Sequence, residues 1–410
     1  MLRAGYLVLR PRAAEVERCS IRKAAGYMER KTGRLPPLVD CTRAYKGGWV
    51  LFPRHYALER FGPPTSDTRT LAPAKMVFTG TLRPNQGPVV KKVIRHLRAR
   101  TGGVLVAACG MGKTTMALAV AAALGQKTLV IVHKHVLVDQ WCERIGQFLG
   151  PGAPVDIVTA QSLHRKGLEG VEYGLTIMDE AHHVPARTFA AAVGRCPARY
   201  RLALTATPTR TDGLIDLLHW HFGKTIVKLA RKTDATCEKR LVVLKSPHAS
   251  KHSDFTRIVN GLAEDAARNR MLAAEIKRRA AHGRVLVLTA RVAQAHALAE
   301  LVGSAAGVIT GKTKKKHRAA IIEGARVLVC STGVASEGFD ARNMDCLVFA
   351  TPCGTKGGSL EQCVGRILRG DCAGLAKTVV DVEDSRVGML QGMGMNRRHK
   401  LKRMGFLLIK

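Results

Sequence analysis

Apolar and polar positions follow a repeated rhythm from about residue 100 onward. Short runs dominated by Val, Ile and Leu are each followed by a stretch in which apolar residues recur at helical spacing. Apolar runs without alternation are typical of strands that a parallel sheet buries on both faces. The pattern therefore predicts an α/β domain with five buried strands, at 103–107, 128–132, 155–159, 175–178 and 201–204.

A second α/β domain is predicted after a mixed stretch around residues 222–236. The same alternation of apolar runs and helical stretches restarts there and continues for well over a hundred residues. The basic composition of residues 386–403 predicts a helix there. The strands expected in this second domain lie at 241–244, 285–288, 307–309, 327–330, 346–349 and 377–380.

A proline-rich segment separates the N-terminal residues from this rhythm. Residues 63–73 contain three prolines and several small polar residues, which disfavour both helix and strand. The sequence therefore predicts a small N-terminal accessory module over 1–75, followed by parallel-sheet α/β domains over 76–230 and 231–410.

The charge balance narrows the class of partner. The chain has 66 Lys and Arg against 31 Asp and Glu, a formal net charge of +35, while its hydrophobic content of 46% is enough for a core in each domain. Such an excess favours a polyanionic partner, above all nucleic acid. Because basic residues also predominate in residues 1–75, a basic surface is expected over the whole molecule.

Cysteine spacing and apolar run lengths argue against several other classes. The 11 cysteines form no CxxC pair and no Cys/His cluster at zinc spacing, so reduced thiols in an intracellular protein are expected. The apolar stretch 116–124 is about half the length of a membrane span, and the apolar run near residue 6 is short for a signal peptide. A soluble protein without membrane contact is the expectation.

A glycine-rich segment, AACGMGKTT at 107–115, follows an apolar strand and opens a predicted helix. Gly110 and Gly112 allow backbone N–H groups to converge on phosphate oxygens at a helix N-terminus, and Lys113 supplies a positive charge for the β- and γ-phosphates. The Thr114 hydroxyl is suited to binding Mg²⁺. The residues predicted to contact nucleotide here are Ala108, Cys109, Gly110, Met111, Gly112, Lys113, Thr114 and Thr115.

Two adjacent carboxylates, Asp179 and Glu180, follow the apolar strand 175–178. Ligand sites of open α/β sheets lie at the carboxyl ends of the strands. Asp179 is therefore predicted to hold Mg²⁺ through water, and Glu180 to orient and polarise the attacking water. A capped helix start is the structural alternative for an isolated pair of carboxylates.

Far downstream, the segment QCVGRILR at 362–369 carries two arginines three positions apart, which places them on one helical face. Arginines presented to a γ-phosphate stabilise the charge of the transition state. Gln362, Arg366 and Arg369 are therefore predicted to act in hydrolysis together with Glu180. A solvated helix is the alternative for this segment alone.

These motifs, in this order, resemble those of a superfamily 2 helicase of the DEAH-containing type, over about residues 82–369. The resemblance implies two tandem RecA-like domains, hydrolysis of ATP with Mg²⁺ between them, and movement along a nucleic-acid strand. LRPNQ is similar to the family's adenine-reading segment, which implies that Gln86 contacts adenine, although Asn85 replaces the usual aromatic residue.

Further motifs supply further expected roles by the same resemblance. LVIVHKHVLVDQW and VTAQSL are similar to motifs Ia and Ib, which contact the sugar-phosphate backbone; LTATPTRTDGL and VLVCSTGVASEGFD are similar to motifs III and V. The residues so implied are Thr159, Gln161 and Thr332 for nucleic acid, His182, Thr205 and Thr207 for coupling, and Gly338 and Asp340 for nucleotide.

Some of these motifs indicate a branch of the family, and with it the kind of nucleic acid on which the protein acts. The DEAH sequence, the RxDG that follows motif III and the basic segment near residue 400 resemble XPB-like helicases and those of phages and large DNA viruses, including poxvirus transcript-release helicases. DNA is therefore favoured over RNA, with 3′ to 5′ movement. The resemblance is compatible with a partner in the transcription, replication or repair machinery. If the protein is viral, it is compatible with a location in the host nucleus or at a cytoplasmic replication site. The oligomeric state is left open, with a monomer compatible.

Two alternatives to a helicase are retained. A double-stranded DNA translocase or transcript-release factor would hydrolyse ATP without separating strands, whereas a basic scaffold protein would have lost hydrolysis.

The N-terminal aromatics Trp49, Phe52, Tyr56 and Phe61 interleave with basic residues, a composition suited to stacking on bases. A small packed core is the alternative for these aromatics.

Overall fold

The structure is a computed structural model that divides the chain into two compact units, Met1–Arg231 and Lys232–Lys410. Each unit is built around its own sheet. The structure describes residues 5–22, 38–44, 46–108, 110–166, 170–181, 188, 192–194, 196–206, 215–229, 237–336, 343–355, 359–368 and 376–409.

The N-terminal residues form a small antiparallel module within the first unit. Three strands pair in the order β1-β5-β4, and β2 pairs with β3. The strands are β1 (Tyr6–Leu9), β2 (Ser20–Arg22), β3 (Leu38–Asp40), β4 (Arg43–Ala44) and β5 (Trp49–Phe52), and the helices are α1 (Ala13–Arg18) and α2 (Arg54–Phe61).

A six-stranded sheet forms the body of the first unit, in the order β11-β6-β10-β9-β7-β8, and every pairing in it is parallel. Its strands are β6 (Gly102–Ala107), β7 (Thr128–Val132), β8 (Val155–Thr159), β9 (Leu175–Met178), β10 (Tyr200–Thr205) and β11 (Thr225–Leu229). Its helices are α3 (Gly87–Arg100), α4 (Lys113–Leu124), α5 (His135–Leu149), α6 (Ala160–Lys166) and α7 (Ile215–Phe222).

The sheet has one more strand than the sequence pattern indicated, and one of the five predicted strands is less buried than expected. β11, which lies in the stretch read as mixed, pairs with β6 at one edge of the sheet. β8 forms the other edge, and Asp156 in it is exposed. An edge strand has a neighbour on one side only, so its sequence tolerates polar positions and loses the apolar signature of a central strand.

Helices cover both faces of this sheet because successive strand residues point to opposite sides. Leu105 and Val130 face a core shared with α3, α4 and α5, whereas Val104 and Leu129 face a core shared with α6 and α7. This arrangement explains the unbroken apolar runs of the central strands.

The second unit contains a seven-stranded sheet in the order β14-β15-β13-β16-β17-β12-β18, with parallel pairings throughout. Its strands are β12 (Lys239–Lys245), β13 (Val285–Thr289), β14 (Ala306–Ile309), β15 (Val327–Ser331), β16 (Cys346–Phe349), β17 (Lys377–Glu383) and β18 (Leu407–Leu408). Its helices are α8 (Phe255–Glu264), α9 (Ala266–Ala280), α10 (Val292–Val302), α11 (Lys315–Gly324), α12 (Thr332–Ser336), α13 (Ser359–Ile367) and α14 (Gly388–Arg403).

The predicted fold class is confirmed: two tandem parallel-sheet α/β units and a small N-terminal module. All six strands predicted in the second unit are present, and α14 is the expected helix near residue 400. The two-residue strand β18 was not predicted, because its pairing with β12 depends on a neighbour far away in sequence. The domain boundaries near residues 75 and 230 stay predictions.

The N-terminal module packs against the first unit's sheet layer through α2 and α7. The ring of Tyr56 on α2 meets Trp220 on α7 edge to face, with centroids 5.1 Å apart. Arg54 is fully buried and donates a hydrogen bond of 2.7 Å to the Ala198 carbonyl just before β10. These contacts join the module to the sheet.

The aromatics of the module form a core, which is the alternative that the sequence had left open. Phe52 is buried, and Tyr56 and Phe61 pack against it. Trp49 is 40% exposed and stands apart from that core. The stacking hypothesis is therefore wrong for Phe52, whose ring is turned inward.

Several cationic side chains lie inside the units, so part of the basic excess is not presented at the surface. Arg201 is fully buried and donates to the carbonyls of Val193 and Cys196. In the second unit two ion pairs are almost completely buried, Arg268 with Asp384 and Arg397 with Asp381. Their hydrogen bonds compensate the cost of removing the charges from water.

A buried basic environment also surrounds His221 at the end of α7. Burial, reinforced by the nearby Arg201 and Arg54 cations, lowers the pKa of His221 to about 3. Since an unfolded histidine has a pKa near about 6.5, the unfolded chain takes up a proton below that pH that the folded unit does not take up. The stability that this histidine contributes is therefore complete above about pH 6.5 and is lost as pH falls toward 3.

We expect the first unit to lose about 1–2 kcal/mol more stability between pH 7 and pH 5 in the wild-type chain than in His221→Gln. Urea unfolding followed by tryptophan fluorescence measures this unit selectively, because all 3 tryptophans lie within it. His135→Gln, at an exposed histidine, is the control. Equal pH dependence in the wild type and His221→Gln would contradict the assignment.

Candidate functional site

The glycine-rich loop joins β6 to α4 at the carboxyl edge of the first sheet. β6 ends at Ala107 and α4 begins at Lys113. Gly110 and Gly112 have φ values of 81° and 77°, a left-handed conformation that favours glycine. No side chain caps the start of α4. The start of a helix carries a partial positive charge that favours an anionic ligand.

Gln86 supports this loop from the segment before α3. It is 2% exposed, and its side-chain amide donates a hydrogen bond of 2.8 Å to the Met111 carbonyl. Its carbonyl oxygen accepts a hydrogen bond of 2.9 Å from the Arg83 backbone N–H. Contact with adenine stays a prediction for Gln86, whose amide in this structure links the predicted adenine-reading segment to the phosphate-binding loop.

Lys113 and Glu180 form an ion pair at the centre of the site. The Lys113 Nζ lies 3.3 Å from the Glu180 Oε1 and 3.4 Å from the Ala107 carbonyl oxygen. Both side chains are largely buried. Glu180 has a φ of 44°, which is unusual for a residue with a side chain and turns the chain sharply after β9. The carboxylate predicted to orient water thus contacts the predicted phosphate-binding cation.

Asp179 immediately follows β9 and is 6% exposed. Its Oδ2 accepts a hydrogen bond of 2.9 Å from the Trp141 indole, and its Oδ1 accepts one of 2.9 Å from the Glu180 N–H. Burial and the adjacent Glu180 charge raise the pKa of Asp179 to about 6, against the opposing effect of Lys113. The carboxylate is thus fixed in orientation and enclosed.

Together these groups can do the chemistry that nucleotide hydrolysis needs. The backbone N–H groups at the start of α4 and the Lys113 ammonium suit a polyphosphate. The carboxylate of Asp179 and the hydroxyl of Thr114 are hard oxygen ligands of the kind that Mg²⁺ prefers. Glu180 lies next to Lys113 through their ion pair, and next to Asp179 because the two residues are adjacent in the chain. The residues therefore fit a magnesium nucleotide.

In the second unit, Gln362 and Arg366 lie on α13. Arg366 is 4% exposed. Thr332 is the first residue of α12 and is half-buried. Arg369, Gly338 and Asp340 lie outside the described residues, so their predicted roles stay predictions.

The structure describes three of the first unit's residues that were predicted to contact nucleic acid or to couple hydrolysis to movement. Thr159 is buried, and its hydroxyl accepts a hydrogen bond of 3.1 Å from the Ser162 N–H at the start of α6. Gln161 is exposed, whereas Thr205 is fully buried at the end of β10. Cys109, His182 and Thr207 lie outside the described residues. The nucleic-acid and coupling roles of these residues, and the nucleotide contact of Cys109, stay predictions.

The sequence did not indicate that Trp141 belongs to the site. Its position at the end of LVDQW is compatible with an ordinary apolar helix position, and it does pack beside Leu137 and Ile145 in the core. Only the hydrogen bond to Asp179, 38 residues away in sequence, identifies it.

Comparisons with known proteins match two segments of the chain to protein families. Residues 79–210 match the family described as type III restriction enzyme, res subunit, and residues 267–371 match the helicase conserved C-terminal domain. The two segments together cover more than half of the chain. In the part of the chain that the structure describes, no helix is long and apolar enough to cross a membrane.

Curated relatives carry helicase or translocase names. A putative ATP-dependent RNA helicase of Acanthamoeba polyphaga mimivirus is 27% identical over 376 residues, covering 82% of this chain and 71% of the relative. A DNA 3′-5′ translocase of the XPB type from Sulfurisphaera tokodaii is 28% identical, covering 70% and 78%. A probable helicase of Escherichia phage T5 is 27% identical, covering 70% and 68%.

We expect Gly112→Ala to lower the affinity for a fluorescent ATP analogue at least about tenfold. A left-handed alanine is strained by roughly 1–2 kcal/mol, and its methyl group would collide with the Gln86 amide. Equilibrium titration measures the effect. Gly146→Ala on α5, where an added methyl group meets no neighbouring atom, is the control. Equal affinity in both variants would contradict the role of the loop.

Proposed function

The chain belongs to the superfamily 2 helicases, and we propose that it uses ATP and Mg²⁺ to move along DNA. Helicase domains in both units and relatives named helicases or translocases make it an ATP-dependent nucleic-acid motor. The choice of DNA, the cofactor Mg²⁺ and the roles of individual residues belong to the proposal.

The observation that carries the proposal is the arrangement of Lys113, Asp179 and Glu180 at one edge of a parallel sheet. Lys113 follows the loop after β6, and both carboxylates follow β9, two strands away in the sheet. The 3.3 Å ion pair shows that these two loops converge. A scaffold protein that had lost hydrolysis would have no need of such a constellation.

Asp179 and Thr114 would hold Mg²⁺, which when bound supplies positive charge to the β- and γ-phosphates. Lys113 exchanges its partner Glu180 for a phosphate oxygen when nucleotide enters. This exchange frees the Glu180 carboxylate to accept a hydrogen bond from the attacking water and to take up its proton. The ion pair between Lys113 and Glu180 holds the two groups next to each other at the site.

We propose in addition that the second unit supplies Gln362, Arg366 and Arg369 to hydrolysis. The support is the match of residues 267–371 to the helicase C-terminal domain, together with the position of Gln362 and Arg366 on α13. A guanidinium directed at the γ-phosphate would stabilise the charge that develops there. Hydrolysis would then depend on both units.

DNA is the favoured substrate, and translocation without strand separation is the second candidate. The net charge of +35 suits any nucleic acid. The Sulfurisphaera tokodaii relative is named a DNA 3′-5′ translocase, whereas the mimivirus relative is named a putative RNA helicase. Strand-separation and protein-displacement assays distinguish a helicase from a translocase that moves without unwinding.

Steady-state ATPase assays at physiological salt, without nucleic acid and with single-stranded DNA, duplex DNA or single-stranded RNA, test the substrate. We expect DNA to stimulate turnover more than RNA, because contact with the correct strand favours the hydrolytic state. Equal or greater stimulation by RNA would refute the choice of DNA. Absence of stimulation by every nucleic acid would favour the scaffold alternative.

We expect Glu180→Gln to retain nucleotide binding while its kcat falls about 10²–10⁴-fold, since the amide cannot accept a proton from water. Lys113→Ala should lose nucleotide affinity itself. Binding of a fluorescent ATP analogue and DNA-stimulated ATPase separate the two effects. Glu143→Gln, at an exposed glutamate on α5, is the control. Turnover close to wild type in Glu180→Gln would remove that residue from the mechanism.

A further inference from the structure

Trp141 connects α5 to the carboxylate of Asp179. Its indole N–H donates a hydrogen bond of 2.9 Å to the Asp179 Oδ2, and its side chain is 1% exposed. The second oxygen of Asp179 is occupied by the adjacent Glu180 N–H at 2.9 Å. The orientation of this carboxylate is therefore set from one side by its own turn and from the other by α5.

Asp179 is also held by β7, the strand that leads into α5. The Asp179 backbone N–H donates a hydrogen bond of 2.9 Å to the Ile131 carbonyl on β7, and β7 and β9 are neighbours in the sheet. Ile131 and Trp141 thus contact Asp179 from the two ends of one segment. The residues between them, 132–140, comprise the last residue of β7, the turn after it and the first part of α5.

That intervening segment has the character of a nucleic-acid contact. It contains His133, Lys134 and His135, which are partly or fully exposed where α5 begins. A shift of this segment on binding a strand would be transmitted to Asp179 through both anchors.

An indole is chemically suited to this position. It is a donor only and carries no charge, so it orients the carboxylate without neutralising it. A lysine or arginine there would compete with a divalent cation for the same oxygens. Partners that orient a metal-binding carboxylate in this way commonly change metal affinity by about 10–100-fold when they are removed.

We propose that Trp141 is a positioning residue that couples nucleic-acid contact by segment 132–140 to the orientation of the Asp179 carboxylate. This inference rests on the proposed function, because it requires both a nucleotide site and a nucleic-acid substrate. The coupling element is the stretch of β7 and α5 that Ile131 and Trp141 anchor to Asp179.

Trp141→Phe tests the hydrogen bond while keeping an aromatic ring in the core. We expect the Mg²⁺ concentration that half-saturates binding of a fluorescent ATP analogue to rise about tenfold, and the fold stimulation of ATPase by DNA to fall. Nucleotide affinity without Mg²⁺ should change less than about twofold. Trp220→Phe is the matched control, since that ring packs on Tyr56 away from the site.

A purely structural role for Trp141 gives a different result. Loss of packing would lower the unfolding temperature and weaken nucleotide binding equally with and without Mg²⁺. That uniform loss, or unchanged Mg²⁺ dependence together with unchanged DNA stimulation, would overturn the proposal. Circular dichroism and thermal unfolding of both tryptophan variants verify that each one is folded.

Fluorescence supplies a readout that needs no turnover. Trp49→Phe combined with Trp220→Phe leaves Trp141 as the single tryptophan among the 3 of the chain. We expect its emission to change when DNA is added without nucleotide, and no change would overturn the coupling. A wild-type chain that hydrolyses no ATP with any nucleic acid would refute the proposed function instead, so the two failures are distinguishable.

Discussion

Parallel pairing of β6, β10, β9 and β7 is the constraint on which the first unit's site depends. Parallel strands end at the same edge of a sheet, so the loops that follow them meet there although they are far apart in sequence. The phosphate-binding loop after β6 and the carboxylates after β9 reach each other in this way, as the Lys113–Glu180 ion pair shows. The helices on both faces bury the strands that position this edge.

Polar groups at that edge are held by partners that come from different elements. Gln86 fixes the loop through Met111, Trp141 fixes Asp179, and Glu180 is engaged by Lys113. Because the surroundings are buried, each of these interactions is stronger than it would be in water. The side chains of this site are thus held in position by partners within the protein.

The basic residues of this molecule serve two purposes, attraction of a polyanionic partner and stabilisation of the fold. Most of the net charge of +35 suits a polyanionic partner, yet Arg54, Arg201, Arg268 and Arg397 are enclosed within the units. Arg54 joins the N-terminal module to the sheet layer, and Arg397 ties α14 to β17 through Asp381. These arginines serve the fold, so net charge alone overstates how much of the basic excess is presented to nucleic acid.

Sequence alone determined the two α/β units, the central strands, the glycine-rich loop and the two carboxylates, because each depends on local periodicity or on a motif whose spacing is short. It did not determine β11 and β18, the inward position of the Phe52 ring, or the contact of Trp141 with Asp179. Those features were decided by neighbours distant in the chain: an edge strand is defined by the strand it pairs with, and a buried hydrogen bond by the partner that folding brings to it. The tertiary structure therefore supplied the connection between α5 and the site, which no local pattern encodes.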